Sequence, residues 1–220
     1  MMINTDFAIR SFKGGYDDNF QYLLTCLQSR AQVSIDAALP LDTIRPFIDG
    51  AFVAMLITHT HGDHIAFIDE YLDAFPELLI IINECSAGRI SALNVHPAMD
   101  GEQIQIGQLL IDVLHTPGHF PDSCCYKLEN VIFTGDTLFV GRTGRTISQG
   151  SDNGELYHSV YSKLLTLPQD TLIYPGHDYG KSPTITIAKN IQISPLLQAA
   201  NEQDFIERMA AFEASRNQTL

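Results

Sequence analysis

The sequence predicts an α+β layered fold, and three observations carry that prediction. Short strand-like runs separated by turn residues fill the first third of the chain. In the middle, an apolar run, a dense cluster of metal-ligand side chains, a helical pattern and a second apolar run follow one another. Later, histidines and an aspartate stand repeatedly just past apolar runs. Alternating extended and helical patterns of this kind build sheets with helices packed on their faces.

The runs Phe7 to Phe12, Phe20 to Cys26 and Gln32 to Ile35, punctuated by Gly14-Gly15, read as antiparallel strands. Asp36 follows the third run, either as a turn residue or as a carboxylate that orients a metal-bound histidine. Leu41, Ile44 and Ile48 mark a short helix that leads into the strand Phe52-Val53-Ala54-Met55-Leu56-Ile57. That strand delivers Thr58-His59-Thr60-His61-Gly62-Asp63-His64. In extended chain, side chains two apart point the same way, so His59 and His61 can hold one cation together. Ile65, Ile68, Leu72 and Phe75 then recur at helical spacing, which places Asp63 and His64 at a helix start, turned toward a second cation. The bland alternatives are solvated loop histidines and an Asp63 that only caps a helix.

Pro76 closes that helix and Leu78 to Ile82 is a buried strand. A further helix is expected over Ser86 to Leu93, a loop at His96-Pro97, and strands at Gln103 to Ile106 and Leu109 to Leu114. The segment His115-Thr116-Pro117-Gly118-His119 turns at Pro117-Gly118 and offers His119 as a third ligand, with His115 as a structural histidine on the strand side. Strands at Cys124 to Leu128 and Val131 to Thr134 lead to Gly135-Asp136, where a carboxylate at a strand end can bridge two cations. Thr171 to Tyr174 precedes Pro175-Gly176-His177, and His177 completes the ligand set. Glu155 to Leu167 reads as an outer helix, and Ser194-Pro195 as the start of a C-terminal helix carrying Leu196, Ala200, Met209 and Phe212. That helix covers either the substrate cleft or a partner in a homodimer.

A chain of 220 residues that is 45% hydrophobic buries a sizeable core. The expected division is a metal-binding domain over 1–180 and a short helical extension over 181–220 packed on it. With 13 Lys and Arg against 26 Asp and Glu, the net charge of -13 disfavours nucleic acid and anionic membrane surfaces as partners. The N-terminal Met1 to Asp6 lacks the basic and apolar regions of a secretory signal, so the cytoplasm is the expected location. Cys26, Cys85, Cys124 and Cys125 have no Cys-x-x-Cys spacing and read as small core residues.

His59-x-His61-x-Asp63-His64, His119, Asp136 and His177, in this order and each at a strand end, resemble the metallo-β-lactamase superfamily over roughly residues 5 to 180. The resemblance implies an αββα sandwich of two mixed β-sheets flanked by helices. It also implies one cation on His59, His61 and His119, a second on Asp63, His64 and His177, and Asp136 between them. Two divalent cations at about 3.5 to 4 Å share a water and lower its pKa, which makes hydrolysis the natural use. Zinc is the expected metal, with iron or manganese as the alternatives that the same donors suit. Asp136 and Asp63 are the expected catalytic residues, Asp63 as a ligand first and a proton acceptor second.

Within the superfamily, His-Thr-Pro-Gly-His, Gly135-Asp136-Thr137-Leu138-Phe139 and Pro175-Gly176-His177-Asp178-Tyr179 resemble the glyoxalase II and persulfide dioxygenase branch. The expected activity is therefore cleavage of a thioester or similar small acyl substrate, in the manner of a hydroxyacylglutathione hydrolase, with a glutathione-linked small molecule as substrate. The alternative is a persulfide dioxygenase with one iron on His59, His119 and Asp136. Two features depart from glyoxalase II. The stretch after His177 is too short for that enzyme's large helical domain, and Gly141-Arg142-Thr143-Gly144-Arg145-Thr146 looks more like the dioxygenase. Arg142 and Arg145 either receive a substrate carboxylate or pin the loop by local ion pairs, and Tyr179 is a candidate for the pocket wall.

Overall fold

The computed structural model describes residues 6–216; the outer ends of the two expected units, 1–5 and 217–220, and most of the N-terminal segment read for a signal lie outside the described residues. Two six-stranded mixed sheets face each other, with helices on both outer sides. The first sheet runs in chain order through β1 (Phe7–Gly14), β2 (Asn19–Cys26), β3 (Ala31–Ile35), β4 (Ala51–Leu56), β5 (Leu79–Asn83) and β6 (Asn94–Ala98). Its first three strands pair antiparallel and its last four parallel. The second sheet has the order β12-β11-β10-β9-β8-β7, built from β7 (Gln103–Ile106), β8 (Leu109–His115), β9 (Cys124–Leu128), β10 (Val131–Gly135), β11 (Leu172–Pro175) and β12 (Ile185–Thr186). Only β10 and β11 pair parallel in it.

Side-chain alternation explains the layers. Tyr22, Leu24, Val33 and Leu56 meet Ile111, Val113, Tyr126 and Phe133 between the sheets. Their chain neighbours face outward. Leu23, Met55 and Ile80 pack with α1 (Leu41–Ile44) and α2 (Ile68–Ala74). Cys125, Ile132 and Ile173 pack with α3 (Asn153–His158), α4 (Ile187–Ile193) and α5 (Glu202–Arg216). Cys124 and Cys125 thus face opposite layers, as strand geometry requires. Leu196, Leu197, Phe205 and Met209 share the outer core of the second sheet. No helix among the described residues is long and apolar enough to cross a membrane.

Several local expectations change. The helix after the ligand cluster starts at Ile68 rather than Asp63. Residues between are held across to the Asp36 loop instead, since Ala37 N bonds to His64 O at 2.8 Å and Phe67 N to Ala37 O at 3.0 Å. His96 and Pro97 lie in β6, an edge strand, where a missing N–H is tolerated. His96 pairs there with Glu102 at 2.7 Å. The expected helix over Ser86 to Leu93 is a 3-10 segment, Glu84–Arg89. The outer helix continues from α3 as a π-helical stretch, Ser159–Leu164, and Ser194-Pro195 opens a 3-10 turn, Pro195–Gln198, ahead of α5. Cys85, in the 3-10 segment that follows β5, is exposed, unlike the other three cysteines.

Two tyrosines in the inter-sheet core set up the edge where the ligands gather. Tyr126 donates to the carbonyl of Ile57 at 2.8 Å, and Tyr22 to that of Pro175 at 2.6 Å. Both carbonyls lie just ahead of a histidine-bearing loop. Backbone bonds join those loops directly: Cys124 N to Thr58 O at 2.7 Å, Phe20 N to Gly176 O at 2.7 Å and Gly176 N to Gly135 O at 2.8 Å.

Candidate metal centre

The seven singled-out side chains converge at the edge formed by the ends of β4, β8, β10 and β11. Three trios have ligand atoms within 4.8 Å of one another: His59, His61 and His119; Asp63, His64 and His177; and His59, His64 and Asp136. Asp136 stands between the first two. Its Oδ1 lies 3.2 Å from His64 Nε2, and its Oδ2 lies 3.3 Å from His177 Nε2 and 3.6 Å from His119 Nε2. Asp63 Oδ2 lies 3.3 Å from His177 Nε2 and 3.6 Å from His64 Nε2.

What surrounds the imidazoles decides which nitrogen each can offer. His119 Nδ1 lies 2.7 Å from the Arg145 carbonyl, and His177 Nδ1 lies 2.9 Å from the Asp17 carbonyl. A carbonyl only accepts, so both Nδ1 atoms carry hydrogen and both Nε2 atoms turn inward. His64 Nδ1 donates to Asp36 Oδ2 at 2.8 Å, with the same result. Thr58 Oγ1 donates to Asp36 Oδ2 at 2.8 Å and therefore accepts from His59 Nδ1 at 3.2 Å. His61 contributes Nδ1, which lies 2.9 Å from His59 Nε2 and 3.0 Å from His119 Nε2. At most one hydrogen can sit among those three nitrogens, so lone pairs face one another. A cation resolves that arrangement.

The electrostatics point the same way. Burial first, then His64, hold His59 well below its ordinary pKa, and burial and His119 push His61 down to about 4, so both are neutral donors. Burial opposes charge on His177, yet hydrogen bonds with Asp136 and Asp63 push it up to about 9. Burial also opposes charge on His64, and the Asp136 and Asp36 carboxylates raise it well above its ordinary value. Asp136 stays ionised despite its burial because His64 and His177 hold it well below the usual carboxylate range. Asp63 is likewise held low against burial by His177, His64 and Asn19. Ligand protons here stand where positive charge is wanted. His64 Nε2 and Asp136 Oδ1 are nonetheless buried with no hydrogen-bond partner. The donor set therefore fits metal cations.

Further residues support this set, several of them not revealed by spacing. Asp36 stands in a left-handed turn, with a φ of 62°, and its carboxylate, besides meeting His64, accepts from Thr58 N at 2.7 Å. Asn19 Nδ2 donates to Asp63 Oδ2 at 3.1 Å. Asp122, almost fully buried, accepts from Thr60 Oγ1 and Ser86 Oγ, each at 2.6 Å, and so braces the loop between His59 and His61. Gly176 has to be glycine, because a Cβ there would meet Asp136 Oδ1, and His64 Cε1 at 2.8 Å. His115 is satisfied by the Pro121 carbonyl at 2.8 Å, away from the cluster.

Among the expected substrate residues, Arg145 is engaged by Glu213, with three N to O distances of 2.6 to 3.0 Å. Arg142 lies over the Tyr179 ring at 3.9 Å, and Tyr179 stacks on His177 with centroids 4.9 Å apart. On the opposite side Phe120 lies 4.2 Å from the His61 ring.

Two mixed sheets with a cluster of imidazoles and carboxylates buried along one edge define a metalloenzyme. The sequence pattern of the Metallo-beta-lactamase superfamily matches residues 92–177. The chain is 32% identical over 180 residues to the probable hydroxyacylglutathione hydrolase glo2 of Schizosaccharomyces pombe, covering 76% of this chain and 67% of that one. It is 31% identical over 207 residues to the human mitochondrial persulfide dioxygenase ETHE1, covering 91% and 80%. The crystal structure of ETHE1 from Myxococcus xanthus superposes with a TM-score of 0.81 at 30% identity, covering 92% and 90%. The chain belongs to the metallo-β-lactamase superfamily.

Proposed function

We propose that this protein is a metal-dependent hydrolase that cleaves a thioester or a similar small acyl substrate, glutathione-linked as in its hydroxyacylglutathione hydrolase relative. In this reading His59, His61 and His119 hold one divalent cation, Asp63, His64 and His177 a second, and Asp136 serves both. The observation that carries it is the pair of trios on either side of Asp136, with the Nδ1 hydrogens of His64, His119 and His177 turned outward. A one-ion site needs only one of them. Zinc is the ion proposed, with iron and manganese suited to the same nitrogen and oxygen donors.

Bound cations would supply a hydroxide nucleophile near neutral pH and polarise the acyl carbonyl. The chain's own residues hold that chemistry in place. Asp36 orients His64 directly and His59 through Thr58. Asn19 and His177 keep Asp63 ionised, which suits a ligand better than a proton acceptor. Phe120 on one side, and Tyr179 with Arg142 on the other, are the proposed walls of the substrate cleft. Arg145 is proposed to pin its loop rather than to meet substrate. A single domain over 1–180 with its helical extension packed against the second sheet fits the shared outer core. Four free cysteines and an acidic chain suit the cytoplasm.

The second reading is a persulfide dioxygenase with one iron on His59, His119 and Asp136. The likeness to the human persulfide dioxygenase over 91% of this chain favours it. A panel of glutathione thioesters, run beside oxygen uptake by iron-loaded protein given glutathione persulfide, separates the two. Metal-dependent thioester cleavage without oxygen uptake supports the hydrolase. Rapid metal-dependent uptake without cleavage overturns it in favour of the dioxygenase.

A further inference from the structure

Helix α5 reaches the metal centre through one loop. Met209, Phe212 and Glu213 stand at i, i+3 and i+4 and so share a helix face. Opposite them run residues 141–146. Thr143 Oγ1 lies 3.4 Å from Met209 Sδ, the Arg142 guanidinium 5.7 Å from the Phe212 ring centre, and Arg145 pairs bidentately with Glu213. The pair is largely shielded, with side-chain exposures of 31% and 19%. The other side of the same loop touches the candidate ligands. The Arg145 carbonyl accepts from His119 Nδ1, and Gly144 sits so close to the Asp136 backbone oxygen and to His119 Cβ that no side chain fits there.

We propose that α5, acting through Glu213 and Arg145, is a clamp that fixes the tautomer and ring orientation of His119. The aim of a carbonyl is set by its peptide plane. That plane joins Arg145 to Thr146: on one side Arg145 is anchored by its guanidinium, held in a fork by Glu213, and by Gly144 before it, packed against Asp136 and His119, and on the other Thr146 Oγ1 donates to Asn153 Oδ1 at 2.6 Å. Released from Glu213, the plane can turn, and His119 loses the acceptor that keeps its hydrogen on Nδ1 and its Nε2 lone pair inward. Glu213 and Arg145 are thus positioning residues. The α5 face at Met209, Phe212 and Glu213 belongs to the metal site as well as to the outer core. This inference rests on the proposal that His59, His61 and His119 hold a cation.

The test uses the full chain with Glu213→Gln, Glu213→Asp, Arg145→Met and, as a reference, His119→Ala. Cobalt is the probe, read by its visible absorption and by chelator competition, and the His119 ring tautomer is read by nitrogen NMR in metal-free protein. The expected result for Glu213→Gln and Arg145→Met is about tenfold weaker binding of the one ion that His119→Ala abolishes, an altered cobalt spectrum and mixed His119 tautomers. The melting temperature should fall by only a few degrees, roughly the effect of losing one ion pair. Glu213→Asp should fall between. Wild-type affinity, spectrum and tautomer in both Glu213→Gln and Arg145→Met would overturn the clamp. Wild-type cobalt binding by His119→Ala would overturn the ligand assignment beneath it.

Discussion

Replacing Asp36 by asparagine tests how much of the site is set by one carboxylate that never faces the cleft. Asn tolerates the left-handed backbone of position 36, with its φ of 62°, so strain is not the source of any effect. Thr58 N donates to Asp36 Oδ1 at 2.7 Å, which forces the amide oxygen of Asn to that side. The amide NH2 then takes the place of Oδ2 and faces His64 Nδ1 and Thr58 Oγ1, both at 2.8 Å. His64 has to accept there, so the hydrogen it keeps is on Nε2 and points into the site. Two hydrogen bonds to a charged group, about 1.5 to 3 kcal/mol each, become neutral ones of about 0.5 to 1.5 kcal/mol. The expected loss is about 2 kcal/mol, or roughly 4 to 8 °C in melting temperature for a chain of this size. Metal affinity of the Asp63, His64 and His177 trio should fall about 10- to 100-fold. Chelator competition gives the affinity and nitrogen NMR the tautomer. Unchanged affinity with His64 still protonated on Nδ1 would refute the reasoning.

Gly176→Ala should lose metal and activity together, because its Cβ overlaps Asp136 Oδ1 and lies 2.8 Å from His64 Cε1; full metal content by elemental analysis would count against the tight packing described. Asp136→Ala and His59→Ala are each expected to abolish metal binding and turnover, and full activity in either would sink the ligand set. Burial pushes the thiols of Cys124 and Cys125 up to about 12, while Cys85 is exposed, so a thiol reagent should modify Cys85 in native protein and those two only on unfolding. Tyr126→Phe removes the donor to the Ile57 carbonyl and should cost about 1 to 3 kcal/mol in a denaturant titration; no measurable loss would mean that this carbonyl finds another partner.

The side chains that gather at the candidate site were legible in the sequence because each motif is local. His59 and His61 share a face by strand geometry, and Pro117-Gly118 and Pro175-Gly176 announce the turns that carry His119 and His177. The strand runs likewise indicated a layered fold, and the two facing sheets followed from the resemblance to the superfamily. What stayed hidden depends on distant chain. The start of the helix after Asp63 moved to Ile68 because Ala37 bonds to the intervening segment, a contact that no helical period encodes. Asn19, the carbonyls of Asp17 and Arg145, and Glu213 act on the site from positions up to 160 residues away from their partners. Backbone acceptors have no side-chain signature at all. Pro97 suggests a loop at His96, and only the position of β6 at a sheet edge shows why proline is accepted there.

Two cations are proposed to work together on either side of Asp136. The direct measurement is hydrolysis of a glutathione thioester by metal-free protein as zinc is added back in counted equivalents, with His64→Ala and His119→Ala alongside. Activity should rise through the second equivalent, with little activity from either variant at one bound ion. Full activity at one ion per chain, undiminished in His64→Ala, would contradict it.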